Sequence, residues 1–72
     1  MEIKKGTLIR NKSDGQYAIV ISEPFTKFFP EEGQMEYGEA DTAVRIKWMS
    51  GGYERTIRKR SMKWNWEVLS EG

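Results

Sequence analysis

Apolar and polar residues alternate with a period of two along most of this chain, and no stretch of ten residues carries a clean helical stripe. Gly6 opens a short strand over residues 7–10, with Leu8 as its expected buried residue. Residues 11–15 gather turn formers, and the Asp14-Gly15 step readily supplies a positive φ. Residues 16–22 are continuous β-branched and aromatic material ended by Pro24. With apolar residues on both faces, this strand is expected at the centre of a sheet. Residues 42–49 alternate well, with Val44, Ile46 and Trp48 on one face and Arg45 and Lys47 on the other. Ser50, Gly51 and Gly52 turn the chain and residues 53–57 return. A two-residue turn puts Tyr53, Arg55 and Ile57 on the face of Val44, Ile46 and Trp48. With Ser50 and Gly51 as that turn, Trp48 opposes Tyr53, Lys47 opposes Glu54 and Val44 opposes Ile57. Residues 58–61 form a tight, strongly basic corner the length of one helical turn. Residues 64–69 close as a last strand before an end at residues 70–72 that is expected to fray.

Between Pro24 and Ala40 the texture changes. Two prolines, two glycines and Glu31, Glu32, Glu36 and Glu39 read as one long acidic loop over about residues 24–40. Phe25, Phe28 and Phe29 are expected to pack one end of it over the body as a lid, leaving the part from Glu31 to Glu39 mobile. Five short strands, this loop and the basic corner predict an all-β fold, a small closed barrel forming a single domain over residues 1–72.

Composition narrows the function. The 72 residues include neither Cys nor His, which excludes disulfides, thiolate or imidazole metal sites and Cys- or His-based catalysis. The serines have no histidine partner and no serine–lysine spacing, so no enzyme is expected. The acids of the loop do not follow calcium-loop spacing, and no cofactor is expected. No apolar run approaches the ~20 residues of a membrane span and no signal-type core follows the N-terminal lysines, so no membrane association is expected and a cytoplasmic setting is.

The opening from Lys5 to Gly15, followed by Ala18, Ile19, Val20 and Ile21, resembles a group of short phage-encoded proteins, cyanophage-like ones especially. Their openings read as a glycine, an apolar pair, a basic residue, a turn and an Ile-Val strand. Val44 to Trp48, the glycine turn after it, and the closing Trp66 to Glu71 are similar to that group too. The resemblance covers most of the chain outside residues 25–40. It implies a Src-homology-3-like barrel, a viral origin and hence a bacterial host cytoplasm, and it brings no assigned activity. The chain is also similar, more weakly, to KOW-type barrels of ribosomal and transcription proteins, with Gly15 in the turn between the first two strands.

Charge is segregated along the chain. Residues 14–41 carry seven acids and one base, a net −6, whereas residues 45–66 carry seven bases and one acid, a net +6. The candidate binding residues are Arg45, Lys47, Tyr53, Arg55, Arg58, Lys59, Arg60, Lys63 and Trp64. One reading is a docking surface for a host or viral protein, made of exposed aromatics and the split charge field. Another is a footprint for single-stranded nucleic acid, with bases on phosphates and Tyr53 or Trp64 stacking. Against both stands an internal use, in which the bases pair with the acidic loop and the tryptophans fill the core. Arg55 is expected near Trp48 on the apolar face, stacked on the indole or snorkelling at the barrel end. Trp64 and Trp66 fall on one face if their segment is extended. Self-association through a strand edge is a further expectation.

Overall fold

Ile9, Ala18, Val20, Val44, Ile46 and Ile57 alternate with outward residues on successive strands, and together with Ile3, Met62 and Trp66 they make one buried cluster. Burying each large aliphatic side chain contributes about 1.5–3 kcal/mol, so this shared face dictates the strand registers. The structure, a computed structural model, describes residues 3–31 and 33–70. Glu32 of the acidic segment, and residues 71–72 of the expected fraying end, lie outside the described residues.

The elements are β1 (Leu8–Asn11), β2 (Tyr17–Val20), β3 (Phe25–Glu31), β4 (Gln34–Trp48), β5 (Glu54–Arg58), a 3-10 turn (Lys59–Ser61), α1 (Met62–Asn65) and β6 (Trp66–Ser70). All strand pairs are antiparallel, in the order β3-β4-β2-β1-β6 with β5 on the other edge of β4. The fold is all-β, as the alternation predicted, and β2 is central. The path does not return on itself, so the sheet is curved but is not the closed five-stranded barrel expected.

The largest correction falls on residues 24–40. Instead of a long acidic loop they form β3 and the first half of β4, a hairpin in which Phe25 opposes Ala43 and Pro30 opposes Gly38. Gly33, at φ 78°, makes its turn. The alternation that produces it is Phe25, Lys27 and Phe29 against Ala43, Asp41 and Glu39. Such a mix of charged and aromatic positions has no apolar face to give it away. Phe25 and Phe28 are exposed along the ribbon rather than forming a lid, whereas Phe29 is half-buried and packs under the Arg58 guanidinium. Gly38 makes the ribbon possible, because a Cβ there would meet the Phe29 carbonyl oxygen, Pro30 Cα at 2.6 Å and Phe28 Cζ at 2.9 Å. The Phe28 ring covers the glycine, as aromatics do beside strand glycines. Fifteen residues of straight strand span about 48 Å, against a longest molecular axis of 36 Å, so β4 coils as it leaves the ribbon and enters the core.

Elsewhere the registers hold. Val44 opposes Ile57 and Lys47 opposes Glu54, and the Trp48 N–H donates to the Tyr53 carbonyl at 2.8 Å. The bend itself occupies residues 49–52, with Gly51 and Gly52 both at positive φ. In the first turn Asn11 Oδ1 accepts the Ser13 N–H at 2.8 Å, and Gly15 has φ 74°. On β1 the buried residue is Ile9 rather than Leu8, because β1 pairs with both β2 and β6 and turns Ile9 into the cluster. Thr7 is also fully buried, its Oγ1 accepting the Lys4 N–H at 3.2 Å. Across β1 and β6, Arg10 meets Glu67 at 2.7 Å, and that hydrogen bond and charge hold the guanidinium pKa above its ordinary value.

Candidate binding site

The basic corner forms because β5 must turn back toward β6 while two apolar residues stay inside. Met62 and Trp66 stand one helical turn apart and both are buried, so Arg60, Lys63 and Trp64 are left facing outward. Arg58 is extended and ends β5; its carbonyl accepts the Ser61 Oγ–H at 2.8 Å, which starts the 3-10 turn. The Lys12 N–H donates to the Asn65 carbonyl at 2.8 Å and ties the end of α1 to the first β-turn. Helix therefore replaces the strand expected at Trp64 and Asn65, and the two indoles part company. Trp66 is 6% exposed and stacks at a tilt on Trp48, with ring centroids 5.3 Å apart. Trp64 is 75% exposed.

The candidate residues fall into three groups rather than one patch. The first is a clamp. Arg58 Nη1 and Arg60 Nη2 each lie 2.8 Å from Glu39 Oε1, and Asp41 Oδ2 lies 3.7 Å from Arg58 and 3.3 Å from Arg60. The Arg58 guanidinium also sits 4.4 Å from the centroid of Phe29, with Lys27 Nζ 5.6 Å from the same ring. Asp41 Oδ2 is buried without a hydrogen-bond donor, so the two arginines supply its compensation. Two of the seven bases are thus spent on the acidic segment of the same molecule, fastening the ribbon to the corner.

The second group lines a surface groove of about 480 Å³. Ile3, Met62 and Val68 are its apolar residues, and Lys59, Arg60 and Lys63 its cations, with Asp41 and Thr42 completing the wall. Among the described residues no carboxylate lies within salt-bridge distance of Lys59 or Lys63. The third group is the β4–β5 hairpin. Arg45 and Lys47 point away from the core, and Arg45 meets Glu54 at 2.6 Å. Tyr53 is 75% exposed, its ring lying against the turn at Gly51. Arg55 opposes Ile46 but is exposed; it shares a second groove with Asn65 and Trp66, and Trp48 is not among that groove's walls. Arg55 has the parity expected of it, opposite the buried Ile46, yet its own side chain is exposed.

The expected internal pairing of bases with the acidic segment holds for Arg58 and Arg60, though the sequence did not single out Glu39 and Asp41 as the partners; it also left unrecognised Ile3, Met62 and Val68 as the apolar side of a groove. The opposite net charges of the two segments were the signal for the first. The four-residue spacing of Met62 and Trp66 was the signal for the second. No helix among the described residues is long and apolar enough to cross a membrane. No protein-family model, curated protein or solved structure matches the chain.

Proposed function

We propose that this chain is a non-catalytic, phage-encoded binding module that docks on a host or viral protein in the bacterial cytoplasm through the corner at residues 59–64. The observation that carries the reading is Trp64, 75% exposed and next in sequence to Lys63, which among the described residues has no carboxylate within salt-bridge distance. Tryptophan is enriched among the residues that anchor protein interfaces. The pairing of β1 with both β2 and β6, the β2-β4-β5 meander and the 3-10 turn before the last strand support a Src-homology-3-like scaffold. The β3–β4 ribbon is then an elaboration between its second and third strands.

The alternative, a single-stranded nucleic-acid binder, has less support. With Arg58 and Arg60 held by carboxylates, the corner has, among the described residues, two cations without an acidic partner, and Arg45 is engaged by Glu54 on the β4–β5 hairpin. Self-association is disfavoured at β3, whose open edge carries Lys27 and Pro30, residues that blunt edge pairing.

The test is capture from host lysate by the intact protein beside Trp64→Ala. A saturable protein partner that the variant loses supports the reading. Absence of such a partner overturns it. So does binding of a single-stranded oligonucleotide that saturates at low salt; two phosphate contacts there predict a log–log salt slope of about −1.4.

A further inference from the structure

The groove lined by Lys59, Arg60 and Lys63 contains a conflict that packing does not explain. Lys59 and Lys63 stand one turn apart on the same wall, where like charges repel. Among the described residues neither has a carboxylate within salt-bridge distance, while Glu39 and Asp41 are engaged by the two arginines. Lys59 is half-buried and lines the groove. Local rule-breaking of this kind marks sites where something outside the fold completes the arrangement.

We propose that the groove is the seat of an acidic peptide segment of the docking partner. Carboxylates of the segment meet Lys59 and Lys63, and an aliphatic side chain enters between Met62 and Val68. This deepens the docking reading and rests on it. Two features choose the peptide. A volume of about 480 Å³ falls within the ~300–1,000 Å³ of ligand clefts, and the apolar residues give a phosphate chain nothing to bind. The charge balance among the described residues agrees: the clamp of Arg58 and Arg60 with Glu39 and Asp41 is neutral, which leaves the two positive charges of Lys59 and Lys63. That matches one or two carboxylates and falls short of what a polyanion recruits.

The probe is a fluorescein-labelled, end-capped octapeptide of alternating glutamate and leucine, titrated into the intact protein by anisotropy. Methyl and amide NMR shifts are followed on the unlabelled peptide. The expected result is saturable binding with shifts centred on the methyls of Ile3, Met62 and Val68. Affinity should fall about tenfold or more in Lys59→Gln/Lys63→Gln, equivalent to about 1.4 kcal/mol. It should also fall when the peptide's leucines become serines. Near-UV circular dichroism of the stacked Trp48 and Trp66 establishes that the variant keeps its fold. No saturation at millimolar peptide overturns the inference, as does unchanged affinity in the folded double variant. Equal binding of an oligothymidine at the same methyls overturns it too. If lysate capture depends on Trp64 while the peptide fails, the docking reading survives and the groove assignment falls.

Discussion

Replacing Arg58 by Gln removes a side chain that joins the end of β5 to both the Phe29 ring and the acidic pair of the ribbon. Its guanidinium lies 4.4 Å from the Phe29 ring and 2.8 Å from Glu39, with its side chain 28% exposed. A partly shielded cation–π contact contributes about 1 kcal/mol. The Glu39 pair, whose carboxylate side is 56% exposed, is discounted for solvent to about 0.5 kcal/mol. Asp41 Oδ2 keeps Arg60 at 3.3 Å, so losing its second cation adds only about another 0.5 kcal/mol. The sum, about 2 kcal/mol, corresponds to about thirtyfold in an opening equilibrium. A two-stranded ribbon is marginal by itself, so the loss should appear as local opening of β3 and the first half of β4. Amide hydrogen exchange followed by NMR reads this directly: protection at residues 25–31 and 36–42 falls about thirtyfold, while residues 44–48 change much less. Arg58→Lys should recover only part, since an ammonium keeps the charge but loses the planar fork. A double-mutant cycle with Phe29→Leu should give a coupling near ~1 kcal/mol. Unchanged ribbon exchange in Arg58→Gln, or a coupling indistinguishable from zero, refutes the clamp.

Three other outcomes follow from the same coordinates. Gly38→Ala forces a methyl against the Phe29 carbonyl and Pro30 and should cost about 1–3 kcal/mol, seen as faster exchange in the ribbon at unchanged core protection. Ile46→Ala empties a fully buried position between β2 and β5. At about 2–5 kcal/mol this approaches the whole stability of so small a domain, and thermal melts should show a largely unfolded chain at 37 °C. Trp64→Ala should leave the melting temperature within the ±0.5 kcal/mol typical of surface changes, whereas Trp66→Ala should cost about 3–5 kcal/mol and abolish the near-UV signal of its stack with Trp48.

The parts of the fold legible in the sequence are those in which one face is apolar. Val44, Ile46 and Ile57 announce their register because a one-residue slip would expose all three. Gly15 and the Ser50 to Gly52 run announce turns because those conformations need particular residues. The β3–β4 ribbon was hidden because neither face of it is buried. Its strands are specified by a glycine under Phe28 and by carboxylates placed opposite Arg58 and Arg60, contacts that join residues about twenty positions apart. Trp64 and Trp66 show the same limit at short range. Their two-residue spacing suits a strand, and the helix wins because Met62 and Trp66 must both reach the core. The site was visible as a charge imbalance and invisible as a geometry. Composition supplied the seven bases; the structure shows Arg58 and Arg60 held by acids of the same chain, and among the described residues no such partner for Lys59 or Lys63.

The most direct test of the docking corner is cross-saturation NMR on the deuterated protein bound to its captured partner. Attenuation centred on the Trp64 indole, Lys63 and the methyls of Met62 and Val68, with Tyr53 and Arg45 unaffected, is the result predicted. A footprint on the Tyr53 hairpin or along the open edge of β3, with Trp64 untouched, would contradict it.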